Sequence, residues 1–220
     1  MINSGGQHKI FLKFCITGIL VFLFACDYSV AAYGAEHPWQ LQIKKDGISV
    51  STRKVDGSPI LEYKADVIVD APLPKATSIF EDDTKTPLWY HNCTYAELVE
   101  GKIPDQRVSY IVLRLPWPVS ERDSVFQSVR SLDPESGTVT YSQSALPTRL
   151  PERKGRIRVI YLNSVWRFTP LADGRTEIYF QQHSDPGGSI PAFLVNRLSV
   201  EIPFYSLKNL RKLILESKEK

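Results

Sequence analysis

The sequence predicts an α+β fold, in which a curved antiparallel sheet wraps around a long C-terminal helix. Short apolar stretches separated by turn residues fill residues 47–183, and consecutive strands joined by short turns pair antiparallel. The turn sequence Asp185-Pro186-Gly187-Gly188 ends this pattern, and a helical stretch follows from Ile190 to about Ser217. A run of strands closed by one long helix is typical of the α+β class.

Residues 1–35 are predicted to be a secretory signal peptide. Basic residues without an acid precede an uncharged run of 13 residues, 14–26, which is shorter than the roughly 20 residues that span a bilayer. Small residues place the cleavage site between residues 31 and 35. Export to a bacterial periplasm is the expected outcome. The alternatives are a lipoprotein anchored through Cys26, which follows Leu23-Phe24-Ala25, and an uncleaved anchor.

Residues 36–220 are predicted to form one domain and to act as a monomer. The full chain has 27 basic and 24 acidic residues, and removal of Lys9, Lys13 and Asp27 leaves 25 and 23. This near balance argues against nucleic-acid binding, which needs a concentrated basic face. Cys93 is then the lone cysteine, so no internal disulfide can form, and we expect a small buried side chain there.

Apolar alternation and turn residues give the elements in chain order. A helical stretch follows Pro72 and Pro74, and the acidic residues 81–83 are interpreted as its solvated end. The predicted strands are residues 47–53, 60–69, 94–99, 107–115, 124–132, 138–144, 156–168 and 175–183.

The C-terminal helix carries two apolar stripes. Residues 194, 198, 202 and 205 fall within about 80° of one another on a helical wheel, whereas residues 207, 210 and 214 centre more than about 100° away. Pro203 lies between the two sets, and its ring cannot sit against the preceding turn, so a bend is predicted there.

Two predicted strands, residues 107–115 and 156–168, are apolar in both phases. A sheet with one face in water should alternate more cleanly. The pattern has two interpretations: a bulge that switches the phase, or a strongly curved sheet that closes around something apolar.

The stretch LPWPVSERD, residues 115–123, places a tryptophan where the chain should lie on the surface. Pro116 and Pro118 fix φ and remove backbone donors, so they should end the preceding strand. Trp117 therefore needs an explanation that strand packing does not provide.

This stretch and several other motifs resemble the START (StAR-related lipid-transfer) family of the helix-grip superfamily, including its bacterial exported members. The resemblance covers roughly residues 39–217. Its motifs are Trp39, Asp46-Gly47-Ile48, Trp89, Pro116-Trp117-Pro118-Val119-Ser120-Glu121-Arg122-Asp123, Trp166 and Asp185-Pro186-Gly187-Gly188-Ser189-Ile190-Pro191.

The resemblance implies a sheet that grips the C-terminal helix around an internal hydrophobic tunnel. Residues 116–122 and 190–217 would form the lid, with Trp117 as a gate that covers the ligand or touches a membrane. The alternative is that Trp117 tucks beneath its own loop. The implied function is to hold one lipid or other apolar small molecule and to exchange it during transient contact with membranes, without a cofactor.

The predicted lipid-binding residues follow from this resemblance and from the strand and helix phases. Ser128 occupies a position that is basic in many family members, so Arg114 is the preferred charge for a lipid phosphate or carboxylate. An internal acid or plain exposure remains open for Arg114, and Arg122 with Asp123 is expected to make a structural ion pair or turn contacts. The full set is Tyr110, Val112, Arg114, Trp117, Ile178, Phe180, Leu194, Leu198, Ile202 and Tyr205.

No catalytic or metal site is predicted. The pairs His91 with Cys93 and His183 with Asp185 lack a third ligand. Some helix-grip relatives are cyclases or hydrolases, so an enzyme remains an alternative, and it would need a buried acid or base with a perturbed pKa facing the cavity. A protein-interaction module is the other alternative, and a filled core without a tunnel would favour it.

Overall fold

The computed structural model describes residues 37–102 and 106–217, so the predicted signal peptide lies outside the described residues. The helices are α1 (Leu73–Phe80), α2 (Thr86–Trp89) and α3 (Ala192–Glu216), and a 3₁₀ turn covers Asp83–Lys85. The strands are β1 (Gln40–Lys45), β2 (Ile48–Val55), β3 (Ser58–Val69), β4 (Cys93–Lys102), β5 (Gln106–Leu113), β6 (Glu121–Leu132), β7 (Val139–Ala145), β8 (Arg156–Arg158), β9 (Tyr161–Pro170) and β10 (Thr176–Asp185).

The strands form one sheet in the order β1-β2-β3-β10-β9-β7-β6-β5-β4. Neighbours in this order pair antiparallel, and β8 adds a short parallel pairing with Glu121–Asp123 of β6. Helix α3 packs on one face of this sheet, mainly against β3 and β2. The predicted α+β helix-grip fold is confirmed.

Several strand ends shift by one to three residues, and the number of strands differs from the prediction at two places. Strand β1 was not predicted, because it is an edge strand with almost all of its side chains exposed, and it shows no buried alternation. The predicted strand 156–168 is two strands, since β8 pairs with β6 whereas β9 pairs with β7 and β10. Val159, at the switch, donates its backbone N–H to the Asp123 carbonyl over 2.9 Å.

Helix α3 is held to the rest of the domain in two different ways. Its C-terminal half packs through Leu207, Leu210 and Ile214, which are fully buried. In its N-terminal half, Asn196 accepts the Leu61 backbone N–H over 3.0 Å and donates to the Pro59 carbonyl over 3.3 Å. The helix is continuous through Pro203, so the bend there stays a prediction. Among the described residues, no helix is both long and apolar enough to cross a membrane.

An aromatic cluster forms the centre of the core, between α1, α2 and the sheet. Phe80 of α1 lies 5.1 Å from both Trp166 and Phe168, measured between ring centroids. Trp166 stacks on Phe180 of β10 at 3.7 Å, and Trp89 of α2 meets the edge of Trp166 at 5.5 Å. These rings supply much of the apolar area that the domain buries.

Strand β5 is apolar in both phases because each of its faces covers a separate core. Ile111 belongs to the main core, whereas Val108, Tyr110 and Val112 pack with Val125 of β6 in a second cluster. Leu146 and Leu150, from the segment that follows β7, cover this second cluster. The second phase of β5 is therefore explained by a small outer core.

A buried ion pair holds the covering segment in place. Arg158 of β8 donates from Nε to Asp123 Oδ1 over 2.8 Å and from Nη2 to Oδ2 over 3.0 Å. The same guanidinium donates to the carbonyls of Leu150 and Pro151 over 3.0 and 3.1 Å. Tyr110 adds a hydrogen bond to Asp123 over 3.1 Å. The carboxylate of Asp123 thus fixes both the start of β6 and the segment that covers its outer face.

Asp123→Ala is expected to lower the free energy of unfolding by about 3–5 kcal/mol, because it leaves the Arg158 guanidinium buried without its anion. Arg114→Ala, which breaks an exposed pair with Glu121, should cost less than about 1 kcal/mol. Urea denaturation of the two variants measures the difference. Equal losses would contradict the role given to Asp123.

Candidate functional site

An elongated cavity lies between α3 and the concave face of the sheet. It contains about 730 Å³ of space between atoms, including its opening to solvent. Most of its wall is aliphatic: Ile60, Leu61, Ile111, Leu113, Leu115, Val159, Leu162, Ile190, Val195, Leu198 and Ile202.

A second cavity, here called the deeper cavity, adjoins the main one and is lined by residues of the aromatic core such as Phe80, Trp89 and Trp166. Tyr90, Ile111, Leu162 and Gln182 line both cavities, so the two adjoin across these side chains. Burial raises the pKa of Tyr90 to about 12, and the pKa of the neighbouring Tyr63 also rises well above its usual value on burial. Both phenols therefore stay neutral at physiological pH.

The deeper cavity carries a buried acid and a buried base that neutralise each other. Arg107 Nη1 lies 3.7 Å from Asp83 Oδ2, and the Ser109 hydroxyl donates to Asp83 Oδ1 over 3.0 Å. Burial raises the pKa of the Asp83 carboxyl, and Arg107 opposes this rise. The interpretation of residues 81–83 as a solvated helix end is therefore wrong for Asp83, which is buried. No pattern along the chain indicates this pair, because its two members are brought together only by the fold.

On α3, the structure brings two of the four predicted residues to the main cavity. Leu198 and Ile202 line its wall. Leu194 is half-buried outside the lining, and Tyr205 is exposed and stacks on His91 at 4.9 Å between ring centroids. The predicted apolar face of α3 is thus rotated away from the face that lines the cavity. Val195 and Ser199, which were not predicted, lie on the cavity side.

On β10, the two predicted residues point to the same face of the sheet as the cavity, but they lie farther along the strand, inside the core. Ile178 and Phe180 are fully buried in the aromatic core and do not line the main cavity. Gln182 and Ser184 continue the same phase along the strand, and these two side chains reach the cavity.

On β5, the predicted phase is wrong. Tyr110 and Val112 face the outer core, and Arg114 lies beyond the strand with its side chain 69% exposed, 3.3 Å from Glu121. The cavity receives Ile111, Leu113 and Leu115 instead. Both phases are apolar, so alternation along the strand could not distinguish the two faces.

Trp117 is 93% exposed and does not tuck beneath its loop in this structure. The loop makes a tight turn, in which the Val119 N–H donates to the Pro116 carbonyl over 3.0 Å. Its neighbour Leu115 lines the cavity. The loop therefore presents a large apolar ring to solvent, two residues along the chain from a side chain that lines the cavity.

Arg122 lines the main cavity, although the sequence placed Arg114 in that role. Adjacent residues of a strand point to opposite faces, so Arg122 and Asp123 do not pair with each other. Arg122 is 2% exposed, and it donates to the carbonyls of Pro186 and Gly187 over 3.3 and 3.1 Å. These are the turn contacts that the sequence allowed for Arg122, while Asp123 makes its ion pair with Arg158.

Within the described part of the chain, no group of three or more His, Cys, Asp or Glu side chains is arranged to hold a metal ion. Cys93 is buried, as predicted, and its burial raises the pKa of the thiol to about 11. His183 contacts the Ser58 hydroxyl at 3.2 Å.

Comparison with known sequences identifies relatives of this domain. The START domain profile matches residues 25–220. An uncharacterized protein of Pseudomonas aeruginosa is 33% identical over 192 residues, which are 87% of this chain and 94% of that protein. The mouse phosphatidylcholine transfer protein is 26% identical over 162 residues, which are 72% of this chain and 75% of the relative.

Solved structures agree with the sequence matches. The STAR-related lipid transfer protein of Xanthomonas axonopodis has 33% sequence identity and a TM-score of 0.76, over 81% of this chain and 99% of that one. Human StAR-related lipid transfer protein 5 has a TM-score of 0.73 over 81% and 86%, and with 21% identity it shows the likeness of fold. Together these matches confirm the resemblance carried by the Pro-Trp-Pro and Asp-Pro-Gly-Gly motifs, and the chain belongs to the START domain family.

Proposed function

We propose that this protein carries one lipid or other apolar small molecule in the main cavity and exchanges it at membranes. The main support for this proposal is the largely aliphatic cavity beneath α3 in a domain of the START family. Each methylene that leaves water is worth about 0.8 kcal/mol, so one acyl chain supplies substantial affinity. Relatives named for phosphatidylcholine transfer and lipid transfer support the same function.

Exposed apolar side chains beside the cavity support exchange at a membrane surface. Trp117, Ile160 and Phe193 are all largely exposed. They are close in sequence to the lining residues Leu115, Val159 and Val195, respectively. In this proposal the Trp117 loop and the N-terminal half of α3 act as the lid, and the exposed rings enter the interfacial region of the bilayer when the lid opens.

We also propose that the protein is exported and works as a monomer. The basic and then apolar pattern of residues 1–26 supports export, with a periplasmic location and a lipoprotein anchored through Cys26 as the two outcomes. Sequencing the N-terminus of the protein from fractionated cells distinguishes cleavage at residues 31–35 from lipid attachment at Cys26.

The enzyme alternative rests on Asp83, the buried carboxyl of the deeper cavity with a raised pKa. Arg107 and Ser109 already engage this carboxyl, which favours a structural or ligand-orienting group over a free general base. The open cavity argues against the interaction-module alternative, for which a filled core was the expected feature.

The protein isolated from cells is expected to contain one bound lipid per chain, recovered chemically unchanged. Intact mass spectrometry before and after organic extraction measures the stoichiometry and the mass of the ligand. A ligand recovered as a chemically altered product after incubation would support the enzyme. A protein that stays empty after incubation with total membrane lipid would overturn the carrier.

Trp117→Ala is expected to weaken vesicle binding about tenfold and to slow ligand exchange, because one large ring no longer enters the bilayer. Vesicle co-sedimentation and a fluorescent-lipid exchange assay measure the two effects. The control is Leu132→Ala, an exposed apolar residue at the opposite end of β6, roughly 35 Å along the strand from its start. If both variants behave like the wild type, Trp117 is not a gate.

Ser199→Phe is expected to reduce ligand affinity about tenfold or more, because the ring fills space in the cavity that the ligand needs. The control is Lys212→Phe, which adds the same ring to an exposed position of α3. Retained lipid binding by a folded Ser199→Phe protein would place the ligand elsewhere.

A further inference from the structure

The main cavity contains one buried cation without a counter-ion. Arg107 and Arg158 are also buried, but each faces a carboxylate, Asp83 and Asp123 respectively. Arg122 forms no ion pair with any carboxylate of the described residues, and burial lowers the pKa of its guanidinium. A buried charge without a partner is unfavourable. Arg122 is therefore the one described arginine whose environment calls for an anion from outside the chain.

Part of the guanidinium is already bound to backbone carbonyls. Nε donates to Pro186, Nη1 to Ser120 and Nη2 to Gly187. The bonds to Pro186 and Gly187 attach β6 to the turn that precedes α3, and the bond to Ser120 lies within the segment that leads into β6. A guanidinium has five N–H groups, so one on each terminal nitrogen remains without a partner among the described residues.

A second unpartnered polar group lies beside it. Ser124 is 1% exposed, lines the same cavity, and its hydroxyl has no hydrogen-bond partner among the described residues. Residues two apart on a strand project from the same face, so the Ser124 hydroxyl and the Arg122 guanidinium are neighbours on the cavity wall. Buried polar groups are nearly always satisfied, and a ligand oxygen satisfies both of these.

The charge balance of the wall selects the sign of the ligand. Arg122 is the sole charged residue among the described residues that line the main cavity. The carboxylate of the deeper cavity, Asp83, is already engaged by Arg107 and Ser109. A ligand with a negative end group is therefore favoured over a neutral or cationic one.

The turn before α3 is shaped to lie close to Arg122. Gly187 and Gly188 both have φ of +68°, a conformation that side chains disfavour. A Cβ at Gly188 would approach Ile157 Cδ1 to 2.9 Å and Arg122 Nη2 to 3.4 Å. Because Gly188 has no side chain, the space next to Arg122 Nη2 stays free at this position.

We propose that Arg122 and Ser124 bind the acidic end group of the carried ligand, a carboxylate or a phosphate, while the apolar chain occupies the aliphatic part of the cavity. Two oxygens of such a group match the two free donors of the arginine fork, and the serine hydroxyl adds a third hydrogen bond. This inference rests on the proposed function, because it names the class of ligand that the same cavity carries.

The test compares amphiphiles with one chain length and different end groups. The protein isolated from cells is delipidated and titrated with palmitate, hexadecyl phosphate and hexadecanol, each displacing a fluorescent lipid probe. We expect at least one acidic amphiphile to bind about tenfold or more tightly than the alcohol, the size of a charge-assisted hydrogen bond. Tighter binding of palmitate assigns a carboxylate to the site, and tighter binding of hexadecyl phosphate assigns a phosphate.

Arg122→Gln should abolish this preference while hexadecanol binding changes little. The matched control is Arg197→Gln, which removes an exposed positive charge from α3 and should keep the preference. Arg122 also holds a turn, so Ser124→Ala provides a second variant that keeps every Arg122 bond to the backbone. It should lose several-fold of the preference with an unchanged melting temperature.

Three results would overturn the proposal in distinguishable ways. If the wild type binds hexadecanol as tightly as both acids, the anion site is refuted and the carrier function stands. If folded Arg122→Gln and Ser124→Ala proteins keep the full preference, the acidic group binds elsewhere. If none of the three amphiphiles displaces the probe, the carrier function fails together with the anion site.

Discussion

The buried ion pair between Asp123 and Arg158 is the interaction on which the rest of the site depends. It lies on the outer face of β6, and Arg122 and Ser124 project from the inner face of the same strand. By fixing the start of β6 and the segment that covers it, the pair fixes where the cavity wall begins. The site thus owes its geometry to an interaction on the face of the sheet opposite the main cavity.

Two arginines face the interior with opposite electrostatic consequences. Arg107 is balanced by Asp83, so the deeper cavity is polar but nearly neutral. Arg122 is surrounded by backbone carbonyls, which solvate its charge without cancelling it. Among the described residues of the cavity wall, the positive charge without a neighbouring carboxylate therefore lies beside the turn that precedes α3.

The sequence predicted the order of the elements well, because turn residues and α3 leave strong local signals. The helix-grip fold followed from the Pro-Trp-Pro and Asp-Pro-Gly-Gly motifs at their expected places. The residues that line the cavity were harder to predict, for a physical reason. Strand β5 buries both faces, so Tyr110 and Ile111 look equally suited to a cavity, and only the outer segment at Leu146 and Leu150 decides between them.

Polar contacts between elements that are distant in the sequence could not be predicted either. Asp83 and Arg107 are 24 positions apart in the sequence and meet only because α1, the 3₁₀ turn and β5 converge. The role of Arg122 needed knowledge of which carboxylates are near it, and charge counting along the chain does not supply that. Leu198 and Ile202 were found because a helix in contact with a cavity keeps its periodicity.

The sheet does not close into a barrel, since β1 and β4 are its two ends. The boundary of the cavity along α3 is therefore made of side-chain contacts and the two Asn196 hydrogen bonds. In the exchange proposed above, a ligand that passes under the N-terminal half of α3 disturbs no bond between strands. Loading and release then leave the strand ladder intact, so repeated cycles do not create the unpaired inner strands that lead proteins to aggregate.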